Sequence, residues 1–319
     1  MKKTILVTGG TGFLGRALVE KLAIRNNVII FDNDSRGSIK KLKSLKNIFF
    51  VNGNICNYND LLKIKSTKIS IIYHLAYING TGTFYKKPIE ILNVATMGIF
   101  NILKFAKLRN IKNLLLASSS EVYQTPNKIP TDTDERLIVP SVMNPRYSYG
   151  LGKIYSEFYS YHFSKKNNLN VKIFRPHNIF GPDMGNDHVI PQLLKKILTK
   201  NNLNQKIIRI KIQGSGNETR SFCFVEDAVN QILALDSKGK NFEIYNIGQT
   251  KEITIKVLIK NFEKILKKKI TVIPSKILMG STKRRCPKMT KTYKLKKFRD
   301  NFNYGLHETV KWYEQDYIK

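Results

Sequence analysis

Acidic residues are scarce in this chain: 23 Asp and Glu face 55 Lys and Arg over 319 residues, a formal net charge of +32. From Lys264 to Arg299 there is neither Asp nor Glu. So one-sided a field favours anionic partners such as nucleic acid, membrane surfaces or phosphorylated small molecules. Nucleic acid is not expected as the main partner. The chain has no aromatic-and-basic RNA motif and no recognisable DNA-reading helix, and charge alone gives only non-specific binding. The excess is largely lysine with abundant Ile and Asn, a composition that a nucleotide bias also produces. Cysteine is scarce as well. Cys56, Cys223 and Cys286 lie far apart without paired spacing, which points away from a disulfide framework or a metal site and fits a reducing cytoplasm. Long hydrophobic runs are missing. "NLLLA" and "VIIF" are strand-sized, so no membrane span is expected. The opening "MKKTILVTGG" holds too short an apolar stretch for a signal peptide.

What the chain does have is a strand–helix alternation. "TILVTGG" is an apolar run ending in glycines, and "GFLGRALVEKLAIR" carries helical apolar spacing. "NVIIFD", "IFFV", "KISIIYHLA", "IKNLLLASSS" and "NVKIFRP" follow as five further strands, the later ones separated by long helical stretches. This spacing predicts right-handed βαβ units and an α/β, doubly wound parallel sheet of Rossmann type, with ligands at the carboxyl ends of the strands. Residues 1–175 are expected to form the dinucleotide-binding domain. Residues 176–319 are expected to be mainly a smaller substrate-binding part, with some strands returning to the main sheet.

"VTGGTGFLG" joins the first strand to the first helix. Gly10, Gly12 and Gly15 fit G-x-G-x-x-G, and Gly9, Gly12 and Gly15 fit the related T-G-x-x-G-x-x-G. The absent side chains let backbone approach a pyrophosphate at a helix N-terminus. Asp32 ends the second strand, placed to accept from the ribose 2′-hydroxyl of NAD and to repel the 2′-phosphate of NADP; Arg36 is close enough to soften that preference. Farther on, "YSYGLGK" sets Tyr149 and Lys153 at i and i+4, on one helix face at about 5–6 Å between β-carbons. An ammonium there stabilises a phenolate, lowering a tyrosine pKa that is ordinarily about 10. A tyrosine so tuned takes a proton from an alcohol near neutral pH.

"TGGTGFLG", "HLA", "SSSEVY", "YSYGLGK" and "RPHNIFGP" occur in the order found in the extended short-chain dehydrogenase/reductases. The chain resembles their nucleotide-sugar epimerase, dehydratase and decarboxylase branch over nearly its whole length. The resemblance implies an NAD cradle of Gly9, Gly12, Phe13, Leu14, Gly15 and Asp32, with Asn54 and Ile55 over the adenine and Leu75 and Ala76 behind the cofactor. It implies Asn93 at the active-site floor and His74 in a structural role. Ser119 would hydrogen-bond the substrate hydroxyl, with Ser120 beside it. Tyr149 and Lys153 would be the catalytic pair, the two glycines between them leaving room for substrate and cofactor. Asn178, Arg220 and Arg285 would meet the sugar-nucleotide phosphates. Gln124, where the family usually has glycine, and Lys288, where an acid is common, are departures. The partner implied is a nucleotide-diphosphate sugar, with a homodimer as the family expectation.

The common first step is oxidation of a sugar hydroxyl, at C4, by Tyr149 and NAD. Inversion, elimination or loss of CO₂ can follow. Glu121 bears on the choice. The 4,6-dehydratases carry Thr-Asp-Glu across positions 119–121, the decarboxylases a hydroxyl residue, Ser and Glu, and simple 4-epimerases need no acid there. "HNIFGP" and "TRSFCF" resemble instead the epimerases that invert C3 and C5 of GDP-sugars. The sequence therefore ranks an NAD-dependent nucleotide-sugar epimerase first, with Glu121 as a base beside the 4-ketone, a decarboxylase of UDP-glucuronate type or a 4,6-dehydratase second, and a non-catalytic NAD-binding regulator as a distant alternative. His188, in "GPDMGNDHVIP", is expected to be an exposed loop residue. Tyr149→Phe removes the proton acceptor and leaves the fold. Turnover of a nucleotide sugar is expected to fall on the order of 10²–10⁴-fold with NAD binding retained, and turnover within a factor of two of the parent would remove Tyr149 from the chemistry.

Overall fold

The computed structural model describes residues 2–66, 68–276 and 282–318. Six strands in the first half are β1 (Thr4–Thr8), β2 (Asn27–Asp32), β3 (Ile48–Asn52), β4 (Ile71–His74), β5 (Asn113–Ala117) and β6 (Asn170–Pro176). With Ile244–Ile247 they make one seven-stranded sheet, in the order Ile244–Ile247, β6, β5, β4, β1, β2, β3, and every pairing in it is parallel. The strands β1, β4 and β5 are almost wholly buried, which is why they read as unbroken apolar runs rather than as alternating ones.

Helices cover both faces: α1 (Phe13–Ala23), α2 (Tyr58–Leu62), α3 (Thr81–Lys86), α4 (Pro88–Asn93), α5 (Ile99–Leu108) and α6 (Ser148–Lys166). The buried residues of α1, Gly15, Leu18, Val19, Leu22 and Ala23, repeat at i, i+3, i+4, i+7 and i+8, one stripe of a 3.6-residue helix. A π turn, Val94–Gly98, joins α4 to α5. The continuous stretch Pro88–Leu108 is long and apolar enough to cross a membrane by length and composition alone, yet half of its most apolar window is buried inside the protein, as befits a core helix.

The second half of the chain contributes to the sheet and adds a core of its own. Ile244–Ile247 pairs with β6, a seventh strand that no sequence motif marked, and the helix Val225–Lys238 packs on α1. Beyond them Phe180, Leu194, Ile208, Phe222, Leu258, Phe262 and Val310 form a second apolar cluster. It lies beneath the parallel strand pair Ile207–Gln213 and Lys269–Ser275.

Helix α6 is held by two devices. Ser148, Gly152, Ser156, Ser160 and Ser164 are buried along it at every fourth position, so small side chains let its backbone approach its neighbours. Ser156 donates to the carbonyls of Ala95 (3.2 Å) and Gly152 (2.8 Å). Glu157, on the same helix, accepts from Arg175 at the end of β6 through both oxygens, at 2.8 and 2.6 Å, and from the Ser118 hydroxyl. Arg175 is 1% exposed and also donates to the Tyr123 hydroxyl (2.8 Å) and the Thr133 carbonyl (3.0 Å). Removing one member of a buried pair strands the other charge, at roughly 3–5 kcal/mol. Glu157→Gln is accordingly expected to lose about 3 kcal/mol of unfolding free energy in denaturant titration, and a loss under about 1 kcal/mol would show that the pair is not what fixes α6.

Candidate active site

The glycine turn is built from close contacts. Gly9 has φ 74°, in the left-handed region that favours glycine, and a Cβ there would stand 2.6 Å from the Ala76 nitrogen. A Cβ on Gly15 would collide with the Gly9 carbonyl oxygen. Gly12 caps α1 with no side chain over it, so the first N–H groups of the helix are open to an anion, and Phe13 and Leu14 follow directly. Asp32 accepts from the Thr11 N–H through one oxygen and from the Asp34 N–H through the other, both at 3.0 Å, so the carboxylate also ties its own loop to the glycine turn. The Leu75 N–H donates to the Thr8 carbonyl and the Ala76 N–H to the Thr8 hydroxyl, which fixes the end of β4 behind the turn. Ile55 is buried, its carbonyl held by Asn101. The Asn54 side-chain oxygen accepts from the Cys56 N–H and keeps a second lone pair. His74 shares a 2.7 Å hydrogen bond with Thr8; burial and the nearby Lys153 charge push its pKa down to about 3, so it is neutral and structural.

Asn93 is exposed at the end of α4, and Ala95, two residues on, packs against α6 at Gly152 and Ser156. One expectation is corrected here. Arg36 does not reach Asp32's ribose side; it donates to the Asn79 carbonyl at 2.6 Å and lies against Gly185, and its charge bears on Tyr149 and His188.

At the carboxyl end of β5, Ser119 caps a single 3-10 turn, Ser120–Val122, accepting from the Glu121 N–H at 3.1 Å. Ser119 also hydrogen-bonds the Tyr149 phenol, which brings Ser119, Tyr149 and the buried Ser120 together. Tyr149 stacks on Phe84 (4.7 Å between centroids) and meets Tyr77 edge-on (5.2 Å). Burial drives its pKa above the ordinary value; Ser119 and Arg36 pull the other way, and Glu121 adds to the rise. Lys153 is buried and donates to the Ala117 carbonyl at 2.7 Å, with burial bringing it down to about 7. Its ammonium is 5.9 Å from the Tyr149 ring centre and 3.7 Å from that of Tyr77. The free protein thus does not show the lowered phenol that i, i+4 spacing predicts, because Lys153 faces Tyr77 and the β5 carbonyl instead. A Cβ on Gly150 would come 2.6 Å from the Gln124 amide and one on Gly152 2.7 Å from Ala95, so both glycines let neighbouring segments close on the helix. Gln124 itself has φ 47°, which explains the family glycine at that position, and its amide offsets the strain by donating to the Glu121 carbonyl at 2.6 Å.

Three guanidinium groups converge on Glu121. Arg285 donates to one carboxylate oxygen at 2.6 Å, and Arg146 lies 3.8 Å from the other. Burial is the largest single influence and raises the Glu121 pKa, but Arg285, Arg146 and Arg220 together outweigh it and hold the carboxyl below its ordinary value. Arg220 pairs in register with Arg285 across parallel strands and donates to the carbonyls of Thr219, Thr282 and Lys283. Asn178 (φ 44°) donates to the Ser221 carbonyl next to it. The Nε of Arg146 and the Nη2 of Arg285 are buried without a partner among the described residues. Lys288 pairs with Asp132 at 2.7 Å. His188, expected to be exposed, is half-buried at the start of the helix Val189–Ile197; burial and Arg36 take its pKa down to about 4, and it feels the Glu121 charge. Arg146 and Tyr77 carried no signal in the sequence reading, since neither lies in a position that the family motifs name.

The family model for "NAD dependent epimerase/dehydratase family" matches residues 5–248. The chain is 31% identical to a UDP-N-acetyl-alpha-D-glucosaminuronate decarboxylase of Bacillus cytotoxicus, over 99% of each protein. It is 31% identical to UDP-glucuronic acid decarboxylase 6 of Arabidopsis thaliana, over 84% of this chain and 76% of that one. Among solved structures, a UDP-N-acetylglucosamine 4-epimerase from Methanobrevibacter ruminantium in complex with UDP-N-acetylmuramic acid superposes with a TM-score of 0.88 at 26% identity, covering 99% of this chain and 100% of that one.

Asp32 ties its own loop to the glycine turn and is expected to accept from the NAD ribose, so Asp32→Ala removes charged hydrogen bonds of about 1.5–3 kcal/mol. A roughly 10- to 100-fold weaker NAD affinity is expected by fluorescence titration, with NADP losing less. Tighter NADP than NAD binding by the unsubstituted protein would show that the carboxylate does not read the 2′-hydroxyl.

Proposed function

We propose, from the premise that this chain belongs to the NAD-dependent epimerase/dehydratase family, that it is a nucleotide-sugar decarboxylase whose substrate carries a uronic carboxylate. The family spans NAD-dependent nucleotide-sugar epimerases, decarboxylases and dehydratases, NAD is its cofactor, and the chain is an enzyme of that group. One observation favours the decarboxylase: Arg146 and Arg285 flank Glu121 beside Ser119 and Tyr149 with buried guanidinium N–H groups left unpaired. A carboxylate accepts these donors as charge-assisted hydrogen bonds, roughly twice as strong as those that a neutral sugar hydroxyl offers. Two relatives at 31% identity are decarboxylases of UDP-linked uronic acids, which supports the same reading.

Gly9, Gly12, Gly15 and Asp32 would hold NAD, which would supply the hydride acceptor and later the donor at C4. Tyr149 takes the C4 hydroxyl proton, and Ser119 orients that hydroxyl. Oxidation at C4 makes the C5 carboxylate β to a ketone, so the electron pair of the carbon–carbon bond flows into the carbonyl as CO₂ leaves. Arg146 and Arg285 hold the carboxylate, while Arg220, in register with Arg285, and Asn178, just after β6, are suited to the diphosphate. An acid held as low as Glu121 is a poor proton acceptor, so alignment of Arg285 and Arg146 suits it better than the base role. Epimerisation through the same 4-ketone is the second reading, and the high structural similarity to a 4-epimerase favours it. A second copy of the chain fits the exposed apolar face formed by Met97, Phe100, Leu151, Tyr155 and Phe158 on α5, α6 and the π turn.

Incubation with UDP-glucuronate and its N-acetylated analogue in heavy water is expected to give a product lighter by CO₂, with one solvent deuterium at C5. Arg146→Met is expected to lower kcat/KM for the uronate on the order of 10²-fold, as for truncating one partner of a buried charge pair, while UDP binds as before. Inversion of neutral nucleotide sugars with no mass change, and inertness toward the uronates, would overturn the decarboxylase in favour of the epimerase.

A further inference from the structure

Lys153 is 4% exposed, and among the described residues it forms no ion pair within 4 Å. Its ammonium donates to the Ala117 carbonyl and stands over the Tyr77 ring, 3.7 Å from the centroid. Tyr77 follows β4 and enters between α6 and the π turn. Its hydroxyl oxygen is buried, has no hydrogen-bond partner among the described residues, and sits where a Cβ on Gly152 would collide with it. A buried, unpaired hydroxyl is a cost. Since phenylalanine would avoid it, the placement of this ring beneath the ammonium calls for a reason of its own.

The other charges around Lys153 leave the ring with work to do. His74, at the end of β4, is neutral. Glu157, one turn along α6, attracts the ammonium but its oxygens are taken by Arg175 and Ser118. Tyr149 is uncharged, its phenol driven up by burial, and its ring is 5.9 Å off. What remains against the desolvation of Lys153 is one carbonyl and one aromatic face. We propose that Tyr77 is a positioning residue for the reaction: its ring face keeps the Lys153 ammonium charged and fixed on the α6 side of the catalytic tyrosine. The proposal rests on the reading of Tyr149 and Lys153 as the catalytic pair.

The sign follows from the contact. An ammonium over an aromatic face is favoured only while charged, so the ring raises the Lys153 pKa, and removing it lowers that pKa. A desolvated contact of this kind is strong enough for about one pH unit or more. The full chain, labelled with ¹⁵N and ¹³C in lysine, is titrated by NMR without substrate, the Lys153 signal being assigned by its loss in Lys153→Arg. Tyr77→Leu is expected to lower the Lys153 midpoint by about one unit or more, with Tyr77→Met, closer in volume, doing the same should the leucine variant not fold. Tyr77→Phe keeps the ring and is expected to titrate within a few tenths of a unit of the parent. The high-pH limb of turnover should move down with Leu or Met and stay with Phe. A Leu or Met midpoint equal to the parent's, or a Phe shift as large as theirs, overturns the proposal. Because the titration uses no substrate, failure of the decarboxylase reading leaves its outcome intact.

Discussion

The buried fork between Arg175 and Glu157 is the constraint on which the site depends. It ties the last strand of the first half to α6, and the Ser118 hydroxyl joins the same carboxylate. Ser118 precedes Ser119, and Glu157 lies four residues after Lys153 and eight after Tyr149, so one ion pair sets the spacing of all three. Through Arg175 the network continues to Tyr123, whose hydroxyl donates to Asn246 at 2.9 Å. Asn246 belongs to the seventh strand and in turn donates to the carbonyls of Thr131 and Lys288. The second half of the chain is thereby attached to the chemistry of the first. Buried ion pairs are often no more stabilising than apolar packing; this one serves to hold polar groups in one arrangement.

Within that frame the free protein keeps its reactive groups neutral-leaning. Burial raises the phenol of Tyr149 and lowers the ammonium of Lys153, the same desolvation acting on opposite charge types. Glu121 adds to the rise of Tyr149, and Arg36, across the cleft, opposes it. In the free protein burial thus outweighs the Ser119 hydrogen bond and the Arg36 charge at the phenol.

The sheet was legible because its signals are local. The runs "TILVT", "NVIIFD" and "NLLLA" are buried on both faces and are apolar throughout, and the glycine turn is read from backbone contacts within a few residues. The strand Ile244–Ile247 was not legible: "IYNI" is short, and its place beside β6 comes from tertiary pairing. Gly150 and Gly152 were rightly singled out, yet what they admit, Gln124, Ala95 and Tyr77, comes from three other segments. Arg285 was picked out as an anion ligand, while its contact with Glu121, 164 positions away in sequence, needed the fold. Arg146 and Tyr77 have meaning only through neighbours distant in the chain.

The carboxylate among three arginines has a use under the proposed decarboxylation. A substrate carboxylate loses its charge as it departs as neutral CO₂, so a site that paired it fully would stabilise the ground state more than the transition state and slow the reaction. Glu121 takes the 2.6 Å hydrogen bond from Arg285, and what it leaves for the substrate is the unpaired remainder of two guanidinium groups. Under the proposal, recognition is then strong enough to select a uronate over a neutral sugar and too incomplete to trap it. The ionised Glu121, held close by, raises the energy of a second carboxylate until that charge is gone. On this account the cluster reconciles two demands that a pure arginine pocket could not: it identifies the acid by its charge, and it favours the loss of that charge.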